Sequence, residues 1–96
     1  MYARITTYMT DPSRESEILE MLGDIASQIK ALPGIVICLS SWRSGDGVGV
    51  ITAIYESQAA AEASAEAAQA IWGGFAGVMT APPDAQTYEN VRDLLA

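Results

Sequence analysis

LPGIVICLSSWRSGDGVGVITAIYES, residues 32–57, decides the architecture. Pro33-Gly34 opens the stretch and Ser57 closes it. Between them, two runs rich in Val, Ile, Tyr and Trp flank a glycine-rich centre, the pattern of two antiparallel strands joined by a tight turn. A two-residue loop at Gly45-Asp46, with Gly first as a II′ turn requires, pairs Ser44 with Gly47, Trp42 with Gly49, Cys38 with Ala53 and Val36 with Tyr55. A loop at Asp46-Gly47 shifts the pairing by two and leaves every side chain on the same face. One face then carries Val36, Cys38, Ser40, Trp42, Ile51, Ala53 and Tyr55. The other carries Ile35, Ile37, Leu39, Val48, Val50 and Ile54. Both are largely apolar, and one layer of helices covers only one of them, so the second calls for a partner.

Tyr2–Met9 alternates, with Ala3, Ile5, Thr7 and Met9 to one side and Tyr2, Arg4, Thr6 and Tyr8 to the other, and reads as a strand. Asp11-Pro12 starts a helix, Asp11 capping and Pro12 at the first position. Ile18, Leu22, Ile25, Ile29 and Leu32 form one apolar stripe at helical spacing, so a single helix is expected up to Pro33-Gly34. Ser57 caps a second helix over residues 58 to about 72, with Glu62, Glu66 and Gln69 on its solvent side. Gly73-Gly74 is expected to break it, residues 75–79 to form a short turn, and Pro82-Pro83 an extended link. A last strand is expected at 87–91, with Leu94-Leu95 as an anchor for the tail.

At 96 residues this is a single domain, residues 1–96, since a second core does not fit in so short a chain. Twelve acidic side chains against five basic ones give a net charge of −7, the wrong sign for neutralising phosphates, so no nucleic-acid partner is expected. No run approaches the roughly 20 apolar residues of a membrane span, no signal peptide is visible, and a cytoplasmic location is the default. Cys38 is the only cysteine and histidine is absent. An internal disulfide, a Ser/His or Cys/His pair and a His-containing metal site are therefore ruled out. No metal or cofactor is expected.

The order β-α-β-β-α-β is the ferredoxin-like, split-βαβ arrangement of the α+β class, with an antiparallel sheet. With two apolar sheet faces it resembles the dimeric α+β-barrel superfamily, in which two such sheets pack face to face. Leu32-Pro33-Gly34, Ser41-Trp42-Arg43, Ile54-Tyr55-Glu56-Ser57 and Pro82-Pro83 carry a closer resemblance to the antibiotic-biosynthesis-monooxygenase domain. That resemblance implies a homodimer through the sheet face. It also implies relatives that include small oxygenases using neither metal nor flavin, alongside haem-degrading enzymes and domains without assigned activity. The haem-degrading branch uses a first-strand Asn, a Trp and a His. Here those places fall to Thr6 or Thr7, to Tyr55 and to no residue at all.

Tyr55 occupies the family's aromatic cavity position and is the first candidate for catalysis, with core packing as the competing role. Arg43 is the second, since a guanidinium at a strand end can hold a phenolate or carboxylate; pairing with an acid at the rim competes. Tyr8, Cys38, Trp42, Trp72, Phe75 and Met79 are candidates to line a substrate pocket. Against this, Cys38 has no basic neighbour in sequence and suits a core, Trp42 is expected to fill the space over Gly49, and an alanine-rich core needs large residues somewhere. Two functions stand. One is a cofactor-independent monooxygenase-like enzyme acting on an aromatic or quinol-type substrate through its electron-rich anion. The other is a non-catalytic dimeric barrel that binds a small ligand or serves assembly.

Overall fold

The computed structural model describes all residues, Met1–Ala96. Strand β1 (Tyr2–Met9) leads through a short 3-10 turn (Pro12–Arg14) into helices α1 (Glu15–Asp24) and α2 (Ala26–Lys30). Strands β2 (Ile35–Trp42) and β3 (Val48–Tyr55) follow, then helix α3 (Gln58–Phe75) and strand β4 (Asp84–Tyr88). The four strands form one antiparallel sheet in the order β2-β3-β1-β4, the ferredoxin-like arrangement. No helix is long and apolar enough to cross a membrane.

The hairpin register is the expected one: Trp42 faces Gly49 and Cys38 faces Ala53. Its turn is different. Arg43 N–H donates to Val48 O at 3.0 Å and Gly47 N–H to Arg43 O at 2.9 Å, so the loop spans residues 44–47, and the left-handed glycine is Gly47, φ +72°, rather than Gly45. A side chain there would also run into the Thr10 carbonyl, so Gly47 satisfies a turn and a close approach together. At the far end a bulge between Ile35 and Ile37 pairs Ile35, not Val36, with Tyr55. Ile35 consequently packs on the buried cluster of Leu32, Ala53, Tyr55 and Ala61, and Val36 stays exposed. One extra residue on an edge strand does this without disturbing the register beyond it.

Glycine also misled at the helices. The first helix is not continuous: Ile25 sits at φ −82°, ψ −6°, between α1 and α2, two residues after the weak helix former Gly23. The stripe survives the kink, with Ile18 and Leu32 buried and Leu22, Ile25 and Ile29 partly so. Helix α3 runs straight through Gly73-Gly74 to Phe75. Burial of Phe75 against Ile18 and Val78, with Trp72 packed alongside, outweighs the roughly 1 kcal/mol each glycine costs. Ser57 caps α3, its hydroxyl accepting from Ala60 N–H at 3.1 Å. Small residues bring the helix close: Ala61 and Ser64 are fully buried, and a side chain on Gly34 (φ +66°) would strike the Ala60 methyl.

The last strand lies three residues earlier than expected. Thr80 N–H donates to Met9 O at 2.9 Å, which brings the chain to the β1 edge, and pairing then runs from Thr7↔Asp84 to Ala3↔Tyr88. The tail does not anchor: Leu94 and Leu95 are 90% and 99% exposed.

The helices cover the face holding Arg4, Thr6, Tyr8, Cys38, Ile51, Ala53 and Tyr55. Ile37 and Leu39 lie on the other face and remain 48% and 60% exposed, as does Met9 at 49%. Trp42 does not fill the space over Gly49. Its indole N–H is tied to Thr10 Oγ1 at 3.0 Å, and the Tyr8 ring takes that space, so closely that a Cβ on Gly49 would overlap it. Gly49→Ala should therefore destabilise the fold by about 1–3 kcal/mol, the usual cost of overpacking. In a Tyr8→Ala background most of that penalty should vanish, a non-additivity that denaturant titration of the four variants would measure.

Candidate functional site

Between the covered sheet face and the helices lies a narrow, partly open cavity of about 50 Å3. Cys38, Ile51 and Ala53 form its floor, Leu22, Ile25 and Ile29 one wall, and Ile71, Trp72 and Phe75 the other. Arg4, Thr6 and Tyr55 bring the nitrogen and hydroxyl groups of the sheet to this lining, beside the Cys38 thiol and the Trp72 indole, and Arg4 is its one charged residue. The alternation of β1 puts Arg4 and Thr6 on the same face, and the register sets Arg4 opposite Ala53, diagonal to Tyr55.

Arg4 has no carboxylate partner. Its Nη2 donates to the Ala61 carbonyl at 3.1 Å, its Nη1 reaches the Tyr55 hydroxyl at 3.4 Å, and its guanidinium carbon lies 5.5 Å from the Tyr55 ring centre. A guanidinium carries five N–H donors and stays charged, so this one keeps hydrogen-bonding capacity beyond its protein contacts. The Tyr55 hydroxyl is 1% exposed as part of its residue. Burial pushes its pKa above the ordinary 10.0, and the Arg4 charge pulls the other way. Cys38 is likewise held protonated by burial, above its ordinary 9.0. Both are proton donors, not bases, at neutral pH.

Beside α2 lies a groove of about 430 Å3 that shares Leu22, Ile25, Ile29, Cys38 and Ile51 with the cavity. The cavity falls below the roughly 300–1,000 Å3 of small-molecule sites, and the groove falls within that range.

Of the residues expected at a site, Tyr55, Cys38, Trp72 and Phe75 line the cavity together. Tyr8 stands behind it, edge-on to Trp72 with ring centres 5.1 Å apart. Its hydroxyl is buried without a hydrogen-bond partner, and burial raises its pKa. Trp42 and Met79 belong to the hydrophobic cluster around Ile18, Phe75 and Val78, not to the cavity lining. Arg43 lies outside altogether, on the exposed turn, held by Asp46 at 2.9 Å. The cavity's cation is Arg4, which sequence reasoning placed on a strand face and passed over. The signal was an arginine among inward-pointing Tyr and Thr on a central strand. Its partners, Tyr55 and Ala61, are 51 and 57 residues away. No three His, Cys, Asp or Glu side chains converge as a metal site would need.

No protein-family model matches this chain, and no curated protein matches it either. Solved structures do. A candidate antibiotic biosynthesis monooxygenase from Caulobacter crescentus superposes with a TM-score of 0.78 at 18% identity, over 95% of this chain and 90% of that one. Another from Nitrosomonas europaea gives 0.78 at 18% identity, over 96% and 100%. A monooxygenase from Streptomyces coelicolor, solved with nanaomycin D, gives 0.69 at 20% identity, over 99% and 91%. At these identities the likeness shows a shared fold: this chain has the fold of the antibiotic biosynthesis monooxygenase-like structures.

The raised pKa values of Cys38 and Tyr55, like that of Tyr8, work against the fold at alkaline pH. The unfolded chain loses protons from Cys38 and Tyr55 at their ordinary values, 9.0 and 10.0, while the fold retains them. Between those values and the higher folded ones the unfolded state binds fewer protons, so stability falls as pH rises. This contribution should be intact below about pH 9 and decline above it, and Cys38→Ala should remove the earlier part of the decline. Thermal unfolding from pH 7 to 11 measures this.

Proposed function

We propose that this chain is a small cofactor-independent oxygenase acting on an aromatic or quinol-type substrate, whose ionised oxygen is held by Arg4 and Tyr55. The observation that carries this reading is the Arg4 guanidinium, the single charge in an apolar cavity, with donors left over from its bonds to Ala61 and Tyr55. Charge developing on a substrate oxygen there meets a fixed cation and a hydroxyl donor in a water-poor space, where such donors act most strongly. The anion is the electron-rich species that reacts with O2 directly. For a methylene between two aromatic rings the balance is CH2 + O2 → C=O + H2O. One oxygen atom enters the new carbonyl, the other leaves as water with both hydrogens, and no outside reductant is consumed. Tyr55 and Cys38 hold their own protons, so the substrate's first proton leaves to solvent through the groove, and Arg4 favours that loss by stabilising the product anion.

The fold shared with monooxygenase structures supports this reading. A second reading has its own support: no cavity group titrates near neutrality, since the chain has no histidine, which suits a protein that binds such an anion without turning it over. Oxygen uptake over a panel of hydroquinones and anthrones separates the two. The enzyme reading expects uptake by wild type and a loss of about 10²-fold in Tyr55→Phe and in Arg4→Gln. Tyr55→Phe should keep its stability within about 1 kcal/mol. Wild type inert across the panel contradicts the enzyme reading, and unchanged turnover in Tyr55→Phe removes that hydroxyl from the mechanism.

The same proposal includes a homodimer through the open sheet face, where Ile37, Leu39 and Met9 are exposed. A second copy of that face would bury at least about 1,200 Å2 in total. Light scattering at micromolar concentration should give twice the chain mass, and the mass of one chain contradicts the dimer.

A further inference from the structure

Twelve acidic and five basic side chains make up the charge of this protein, and the bases are not spread at random. Arg14 is paired with Glu17 and Arg43 with Asp46, and Arg92 lies in the tail beyond β4. The remaining two are Arg4, lining the cavity, and Lys30, lining the adjoining groove. No Asp or Glu lines either space. In a chain of net charge −7, the two adjoining spaces, which share five lining residues, thus carry two cations and no anion. Arg4 belongs to the cavity and is partly buried, and Lys30 belongs to the groove, exposed at the last turn of α2.

We infer that the ligand is an aromatic hydroxy acid, seated with its hydroxyl inward on Arg4 and its carboxylate outward on Lys30. The inference rests on the reading of the cavity as an anion-accepting aromatic site and adds the second polar end. Register sets the length. Arg4 on β1 lies opposite Ala53 on β3, which lies opposite Cys38 on β2, so crossing from Arg4 to the β2 edge takes two strand spacings, about 10 Å. Two or three fused six-membered rings cover that distance. At the bulge that starts β2, Ile35 and Val36, consecutive residues, both line the groove. One lysine balances one charge, which fits a carboxylate in place of a dianionic phosphate.

The test uses 6-hydroxy-2-naphthoate and its methyl ester, titrated calorimetrically at low salt into wild type, Lys30→Met and Lys30→Arg. Wild type should bind the acid about fivefold tighter than the ester, the scale of an exposed ion pair. Lys30→Met should bring the two to equal affinity with ester binding unchanged, and Lys30→Arg should keep the preference. Equal affinities in wild type, an undiminished preference in Lys30→Met, or binding of neither probe would overturn the inference. The oxygenase reading fails separately: acid preference without oxygen uptake removes the turnover and leaves the ligand class standing.

Discussion

A guanidinium without a carboxylate partner is the constraint on which this small fold turns. Burying a charge is costly unless hydrogen bonds and counter-charges compensate, and Arg4 finds its compensation in the Ala61 carbonyl and the Tyr55 hydroxyl. Those contacts reach α3 and β3 from β1, so one side chain ties helix and sheet together on one side of the cavity. Ala61 and Ser64, both fully buried, permit that separation; larger side chains would push α3 outward and leave the guanidinium short of its acceptor. The alanine-rich composition of α3 is thereby part of the site and not only of the core.

The two faces of the sheet divide the work. The covered face exchanges some packing for a cavity, with Tyr8, Trp72 and Phe75 supplying bulk at one end. The open face keeps its isoleucine and leucine side chains in water. A chain of 96 residues buries little more than 60% of its unfolded surface on folding, and the proposed second sheet would add to that burial.

Much of this was legible in the sequence where a period of two governs. The alternation of residues 2–9 gave β1 to the residue, and the pairing of Trp42 with Gly49 followed from the hairpin. What escaped was decided by contacts distant in sequence. Gly73-Gly74 reads locally as a stop, and only Phe75 docking on Ile18 carries α3 past it. The segment 84–88 has no apolar alternation, and the free edge of β1 makes it a strand. Arg43 drew attention because it follows Trp42, yet it turns outward to Asp46, three residues away. Arg4 carries no local mark at all; its role appears once β1 is laid beside β3 and beneath α3.

In the proposed function, Arg4 makes the cavity a site for an oxygen anion. The most direct measurement is a spectrophotometric titration of 4-nitrophenol bound to the protein, since its anion absorbs in the visible. Bound to wild type, the probe should ionise at a lower pH than in free solution, and Arg4→Gln should abolish that shift while apolar contacts still hold the ring. A probe that binds as the neutral phenol, or whose ionisation is the same with and without Arg4, would contradict the account.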